Sequence, residues 1–160
     1  MMPPLDIQQL FFDDLTEGME FQSPGRTVTE SDIVAFAGLS GDYNQLHVDS
    51  EFAARTTHGE RIAHGLLVLS ITSGLSTRVV LMTGLAEQIM GLLNLECRFK
   101  QATKIGDTIH VRLRITELRM TSKGDSGVMT LSRDAINQHG TVVMESIWKL
   151  LIRSRQGGER

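Results

Sequence analysis

The stretch GLLVLSITSGLSTRVV at residues 65–80 decides the fold, because aliphatic residues recur along its whole length and it opens on a glycine. Aliphatic side chains would cover nearly every side of a helix drawn through it: Leu66, Leu67, Val68, Leu69, Ile71, Leu75 and Val79. A helix that is apolar all round belongs inside a protein. The uncharged run at residues 62–77 is shorter than the roughly 20 residues that a membrane-spanning helix needs. The pattern therefore predicts a central helix at residues 65–80, covered by the rest of the chain, and no membrane segment.

The second half of the chain alternates apolar and polar residues, as strands with one solvent-facing side do. Four such segments follow one another: IMGLLNLECRFKQ, DTIHVRLRITELRM, SGVMTLSRDAINQ and GTVVMESIWKLLIRS. The intervening turns fall at residues 104–107, 122–127 and 137–140. Short turns between strands predict an antiparallel meander. We therefore expect an α+β fold in which an antiparallel sheet wraps around the central helix.

The first half carries shorter elements. A strand is predicted near residues 19–21, and a helix in TESDIVAFAGLSGD with Thr29 as its N-cap and acidic residues in its first turn. Gly41 lies where that helix should have ended. SEFAART predicts one more helical turn with Ser50 as its cap, and Asp49 is the other residue placed to cap it.

Bulk properties restrict the class of protein. A chain of 160 residues fits a single domain at 1–160, with a core at about 15–153. A net charge of −3 does not indicate a protein that binds nucleic acid. The one cysteine, Cys97, cannot form an intrachain disulfide and is expected in the core. MMPPLDIQQLFFDD lacks the basic and apolar regions of a signal peptide, so we expect a cytoplasmic protein.

Asp42, Asn44 and His47 lie within six positions in the segment GDYNQLHVDS. Taken singly, Asp42 is ordinary turn chemistry and His47 a surface histidine. Taken together, an acid and an imidazole that share one water form a general acid–base pair, since histidine titrates near neutrality. Their place just ahead of the buried helix favours this second interpretation.

Gly65 begins the predicted helix. A glycine there leaves backbone N–H groups open at the positive end of the helix dipole, where they could polarise a carbonyl oxygen. The alternative is a glycine used only for close packing, and the sequence leaves both open. The preceding His64 is interpreted as a packed or capping residue rather than a catalyst.

These motifs resemble the signature of the MaoC-like (R)-specific enoyl-CoA hydratases. SGDYNQLHVDSEFA followed by ERIAHGLLVLSITSGL reproduces the family's spacing of Asp, Asn and His and the AHG that opens the helix, and CRFKQATKIGD is similar to its strand ending in a GD turn. The resemblance covers about residues 17–107. The chain departs from the family at Gln45 and at Ala102 or Thr103, where the family has proline.

The resemblance implies a hot-dog fold and a hydratase/dehydratase (a lyase) that interconverts trans-2-enoyl-CoA and (R)-3-hydroxyacyl-CoA. Asp42 and His47 would activate water and the Gly65 N–H would hold the thioester oxygen. Asn44 and Ser73 would support them. Coenzyme A, or an acyl carrier protein, belongs to the substrate, so no separate cofactor and no metal are expected.

Two further predictions concern binding. Arg98, Lys100 and Lys104 could contact coenzyme A phosphates, although a solvent-facing strand explains them equally well. A one-sided sheet with an exposed edge predicts a homodimer, or a larger assembly of dimers, joined edge to edge.

Two other functions remain to be separated from the hydratase. A hot-dog thioesterase would need a carboxylate on or near the central helix, and residues 65–77 contain neither Asp nor Glu. A non-catalytic acyl-CoA-binding subunit would have no use for the Asp42–His47 pair.

Overall fold

In a computed structural model that describes residues 9–158, an antiparallel sheet curves around one helix. Residues 1–8, part of the segment in which no signal peptide was expected, lie outside the described residues. The helices are α1 (Glu30–Ser40), α2 (Gln45–Val48), α3 (Ser50–Ala54), α4 (Gly65–Ser76) and α5 (Val80–Gly84). The strands are β1 (Glu20–Gln22), β2 (Arg26–Thr27), β3 (Ile89–Phe99), β4 (Thr108–Met120), β5 (Ser126–Ile136) and β6 (Val142–Arg153). The expected α+β hot-dog architecture is confirmed.

The strands do not form the expected four-stranded meander. Their order in the sheet is β1-β4-β5-β6-β3, and β2 also pairs with β4. Only β4, β5 and β6 follow one another as hairpins, while β3 pairs with β6 at the far edge. The chain must therefore cross from one side of the sheet to the other between β3 and β4. Strand alternation could not reveal this, because it reports which face a residue occupies and not which strand lies beside it.

The central helix α4 lies against β4 and β5 but is buried on one side only. Leu67, Val68, Ile71 and Leu75 face the core, whereas Leu66 is 59% exposed. The expectation that α4 is buried on every side is thus wrong for a single copy of the chain. The helix is also shorter than expected: it ends at Ser76, after which i→i−3 hydrogen bonds tighten the chain ahead of α5.

Local capping explains where the short helices begin. The Thr29 hydroxyl accepts the Asp32 N–H at the start of α1, and the Asp32 carboxylate accepts the Thr29 N–H at 2.8 Å, which is a capping box. Gly41 ends α1 with a φ of 75°. The cap of α3 is Asp49, whose carboxylate accepts the Phe52 N–H at 2.9 Å. The expected cap Ser50 is wrong, since it is the first helical residue.

Strand β3 forms an edge of the sheet and exposes apolar side chains. Met90, Leu92 and Leu93 are each more than half exposed. Cys97, expected in the core, packs against it but is only half-buried. All helices within residues 9–158 are too short or too polar to cross a membrane.

A glycine in β5 makes room for an aromatic ring. A Cβ on Gly127 would lie 2.3 Å from Cε2 and Cζ of Phe12, whose side chain is 8% exposed. That separation is far below van der Waals contact, so the ring and a larger residue cannot share this place. Phe12 thereby closes the core where the N-terminal segment meets the sheet.

We expect Gly127→Ala to displace the Phe12 ring and to lower the free energy of unfolding by about 2 kcal/mol, the cost of exposing a large apolar side chain. For a chain of this length that corresponds to a Tm lower by roughly 5 °C in a thermal melt. The control is Gly74→Ala on the exposed side of α4, where an added Cβ meets nothing within 4 Å and alanine favours the helix. An unchanged Tm for Gly127→Ala would show that Phe12 moves aside without cost.

Candidate active site

His47 is held by a backbone carbonyl in front of α4. Asn44 caps the single turn of α2 by accepting the Leu46 N–H at 3.0 Å, which is how it orients this loop. The Nδ1 atom of His47 lies 2.8 Å from the Ile62 carbonyl oxygen. Because a carbonyl oxygen only accepts, Nδ1 carries the proton of the neutral ring and Nε2 keeps a free lone pair. The half-buried His47 therefore presents a proton acceptor.

Asp42 lies on the exposed loop that follows α1. Its carboxylate accepts the Asn44 N–H at 3.2 Å, and its own N–H donates to the Ser40 hydroxyl at 3.2 Å. One carboxylate oxygen and one ring nitrogen each of His47 and His64 lie within 4.8 Å of one another. A single water can span such a separation with two ordinary hydrogen bonds. The structure thus brings Asp42 and His47 together, as the spacing in the sequence predicted.

His64 lies directly beside this pair and is 2% exposed. Its Nε2 atom is 3.0 Å from the Asp42 carbonyl oxygen, and its ring centroid is 3.8 Å from that of His47, with 30° between the planes. Phe36 packs against the His64 ring at a centroid distance of 5.1 Å. His64 is therefore the packed residue that the sequence favoured, and it also touches both members of the pair.

The first turn of α4 has no side-chain cap among the described residues. His64 occupies the N-cap position, but its side chain makes no capping hydrogen bond. The first intrahelical bond is the Val68 N–H to the His64 carbonyl, at 3.1 Å, so the N–H groups of Gly65, Leu66 and Leu67 precede it. A Cβ on Gly65 would lie 2.9 Å from Cε1 of Phe99. Gly65 therefore serves close packing as well as leaving a free donor, and the two interpretations are compatible.

His47 and Gly65 line one cavity of about 430 Å³. The segment that leaves β3 supplies another part of its lining and is tied to the start of α4, because the Ala63 N–H donates to the Thr103 carbonyl at 2.8 Å. Several lining residues were not singled out from the sequence as site residues: His58, Ile62, Ala63, Leu66, Val68, Phe99, Gln101, Ala102, Thr103 and Val143. The motif CRFKQATKIGD was the one available signal for part of this wall. Most of the lining residues are apolar, so the cavity can hold an apolar group.

The other predicted residues are placed differently. Lys100 lines the cavity and lies 3.5 Å from Glu145. Lys104 is paired with Glu60 at 2.6 Å. Arg98 lines a separate depression on the sheet. Ser73 is eight residues beyond Gly65, about 12 Å along the helix axis, and does not line the cavity.

Asp42, His47 and His64 could be considered as metal ligands, because each histidine donates its other ring N–H to a backbone carbonyl, as metal-binding histidines do. The stacking of the rings argues against it. A metal lies near the plane of each ring that binds it, whereas stacked rings direct their lone pairs side by side. The cluster is better suited to holding water and moving a proton.

The sequence and the fold match one known family. Residues 14–138 match the family described as the MaoC like domain. The chain is 33% identical over 145 residues to the (R)-specific enoyl-CoA hydratase of Rhodospirillum rubrum, covering 91% of this chain and 93% of the relative. It is 41% identical over 103 residues to protein MaoC of Klebsiella aerogenes, covering 64% of this chain and 30% of that protein. The crystal structure of the MaoC-like dehydratase from Rhodospirillum rubrum has a TM-score of 0.82 at 31% identity, covering 91% of this chain and 98% of the other.

Proposed function

The chain belongs to the MaoC-like domain family, and from that membership we propose that it interconverts a trans-2-enoyl thioester and the (R)-3-hydroxyacyl thioester by addition and removal of water. The observation that carries the proposal is the hydrogen bond between His47 Nδ1 and the Ile62 carbonyl. It leaves Nε2 as a proton acceptor in the cavity wall that also contains the open start of α4. The resemblance to hydratases supplies the substrate class.

In the proposed hydration, the Asp42 carboxylate and His47 Nε2 each accept one hydrogen of a bound water. Its oxygen bonds to C3 of the enoyl group while the proton moves to Nε2, and the C2–C3 π electrons shift to give an enolate on the thioester. The same proton then moves from Nε2 to C2 on the same face. The water is consumed and both side chains return to their initial state, and dehydration runs through the same steps in reverse.

The start of α4 is proposed to hold the thioester oxygen. The enolate places negative charge on that oxygen, and the Gly65 N–H is a fixed donor at the positive end of a helix. Donors already in place need no rearrangement when the charge develops. Of the three predicted cations only Lys100 lines this cavity, and it is therefore proposed to contact a coenzyme A phosphate.

We expect Asp42→Asn and His47→Gln each to lower the hydration of crotonyl-CoA by at least about a hundredfold, because each removes a positioned acid–base group. Loss of the enoyl absorbance measures hydration. Both variants should fold, since the side chains of Asp42 and His47 lie outside the core. The double variant should be little worse than either single one, because both groups act on one water. Losses that simply multiply would contradict the shared-water mechanism.

The same assay separates the alternatives when it is run with a thiol reagent. Hydration without thiol release supports the proposal. Release of coenzyme A thiol would show a thioesterase, and neither reaction with any enoyl-CoA from four to sixteen carbons would indicate a binding subunit.

We expect Gly65→Ala to lower turnover on the order of a hundredfold, because the methyl group displaces the oxygen from its donor. The new Cβ also meets the Phe99 ring, which is 51% exposed and can swing away. Measuring Gly65→Ala in the parent and in a Phe99→Ala background separates the two effects. The loss should persist in both backgrounds. If Phe99→Ala restores the turnover of Gly65→Ala, the glycine serves packing alone.

We also propose a homodimer formed through the edge strand β3, where Leu92 and Leu93 are exposed beside unpaired backbone groups. Light scattering should give a mass of twice the 17.7 kDa of the chain, or an even multiple of it. Leu93→Lys should raise the dimer Kd by roughly tenfold or more, the effect of about 1.4 kcal/mol. Leu39→Lys is the control, since Leu39 is 84% exposed on α1. A monomeric mass at micromolar concentration would contradict the dimer.

A further inference from the structure

We propose that His64 is the positioning residue of the Asp42–His47 pair, holding the main chain of Asp42 through a hydrogen bond and the ring of His47 through stacking. The inference rests on the proposed function and adds to it a residue that does not touch the reacting atoms. Two contacts and one observation on burial carry it, and each contact restrains a different part of the site.

The first contact fixes the Asp42 loop. The carbonyl oxygen of Asp42 can only accept, so Nε2 of His64 is the donor of the 3.0 Å hydrogen bond between them. Asp42 is otherwise held by short-range contacts within its own loop, to Ser40 and Asn44. The bond to His64 spans 22 residues and is the one side-chain hydrogen bond that ties Asp42 to the start of α4 within residues 9–158.

The second contact fixes the His47 ring. The Ile62 carbonyl sets the orientation of the His47 ring through one nitrogen, but a single hydrogen bond tolerates a range of angles and leaves the ring some freedom to tilt. The His64 ring lies against the face of His47, with 3.8 Å between the ring centroids, and limits this tilt. Phe36 supports His64 from its own side at 5.1 Å, so the stack is backed by α1.

The third observation concerns burial. His64 is 2% exposed, yet its Nδ1 atom has no hydrogen-bond partner within the described residues. Leaving a buried polar atom unsatisfied is costly, and leucine or phenylalanine would avoid that cost if packing were the only requirement. What imidazole adds is a donor at Nε2 combined with a flat ring face.

Two substitutions divide these contributions. Glutamine retains an N–H donor at the ε position and lacks the aromatic face, whereas phenylalanine retains the face and lacks the donor. The test measures kcat and KM for crotonyl-CoA, the Tm, and the amide hydrogen exchange of residues 42–47 by NMR in the parent, His64→Gln and His64→Phe. Gly127→Ala is the control for lost stability, since Gly127 contacts Phe12 and lies away from the site.

We expect His64→Phe to lower kcat roughly tenfold, with KM changed less than twofold, and to speed amide exchange at residues 42–47. His64→Gln should recover part of kcat and most of the exchange protection, because it restores the bond to Asp42. Gly127→Ala should keep the parental kcat despite its lower Tm. This pattern separates positioning from general destabilisation, because a structural loss would follow the Tm.

Parental kcat in His64→Phe would overturn the inference while leaving the proposed function intact. So would equal losses in both variants with no rescue by glutamine. If the parent itself has no hydratase activity, the proposed function fails, and amide exchange then decides the positioning role alone. Unchanged exchange at residues 42–47 in His64→Phe would overturn it. If His64→Phe does not fold, His64→Leu, which lacks both the donor and the ring face, takes its place, and a parental kcat with parental exchange at residues 42–47 in that variant overturns the inference.

Discussion

The hydrogen bond from His47 to the Ile62 carbonyl is the contact on which the candidate site depends. It joins the loop that carries Asp42 to the chain just before α4, and it selects the tautomer of the imidazole. Without it, either ring nitrogen could carry the proton, and the ring would have no fixed relation to the start of the helix. One backbone acceptor thus sets both the position of His47 and the nitrogen that can take a proton.

The sheet topology explains why a cavity exists there at all. Since β3 lies at the edge beside β6 and β4 lies three places away, the connection between them must pass across the sheet. It does so next to the start of α4, where Ile62 and Lys104 form an isolated bridge and Ala63 bonds to Thr103. The crossing segment therefore forms part of the wall of the cavity that His47 also lines.

The sequence contained the helix, the strands and the polar pair, but not their arrangement. The aliphatic residues on nearly every side of residues 65–80 were enough to predict the central helix, and the spacing of Asp42 and His47 was informative because it matched a known motif. Strand order and the exposed side of α4 depend on tertiary pairing.

Arg133 on β5 is a further feature that the sequence did not reveal. Its side chain is buried, 3% exposed, and its guanidinium lies 4.2 Å from the centre of the Trp148 ring. Burial lowers the pKa of Arg133 to about 10, and no alternation pattern predicts a cation on that face.

The uncapped start of α4 shows how local stability and the candidate function oppose each other. Serine, threonine, aspartate or asparagine at the N-cap would satisfy an open N–H and stabilise the helix by about 1 kcal/mol. The chain has His64 there, whose side chain bonds backward to Asp42 and leaves the first turn unsatisfied. A capping oxygen would occupy the donors that are proposed to hold a thioester oxygen. One side chain cannot both cap the helix and bond to Asp42, so under the proposed function the residue at this position would serve the site at the expense of the helix. Departures from local preference of this kind are expected at functional or strained sites.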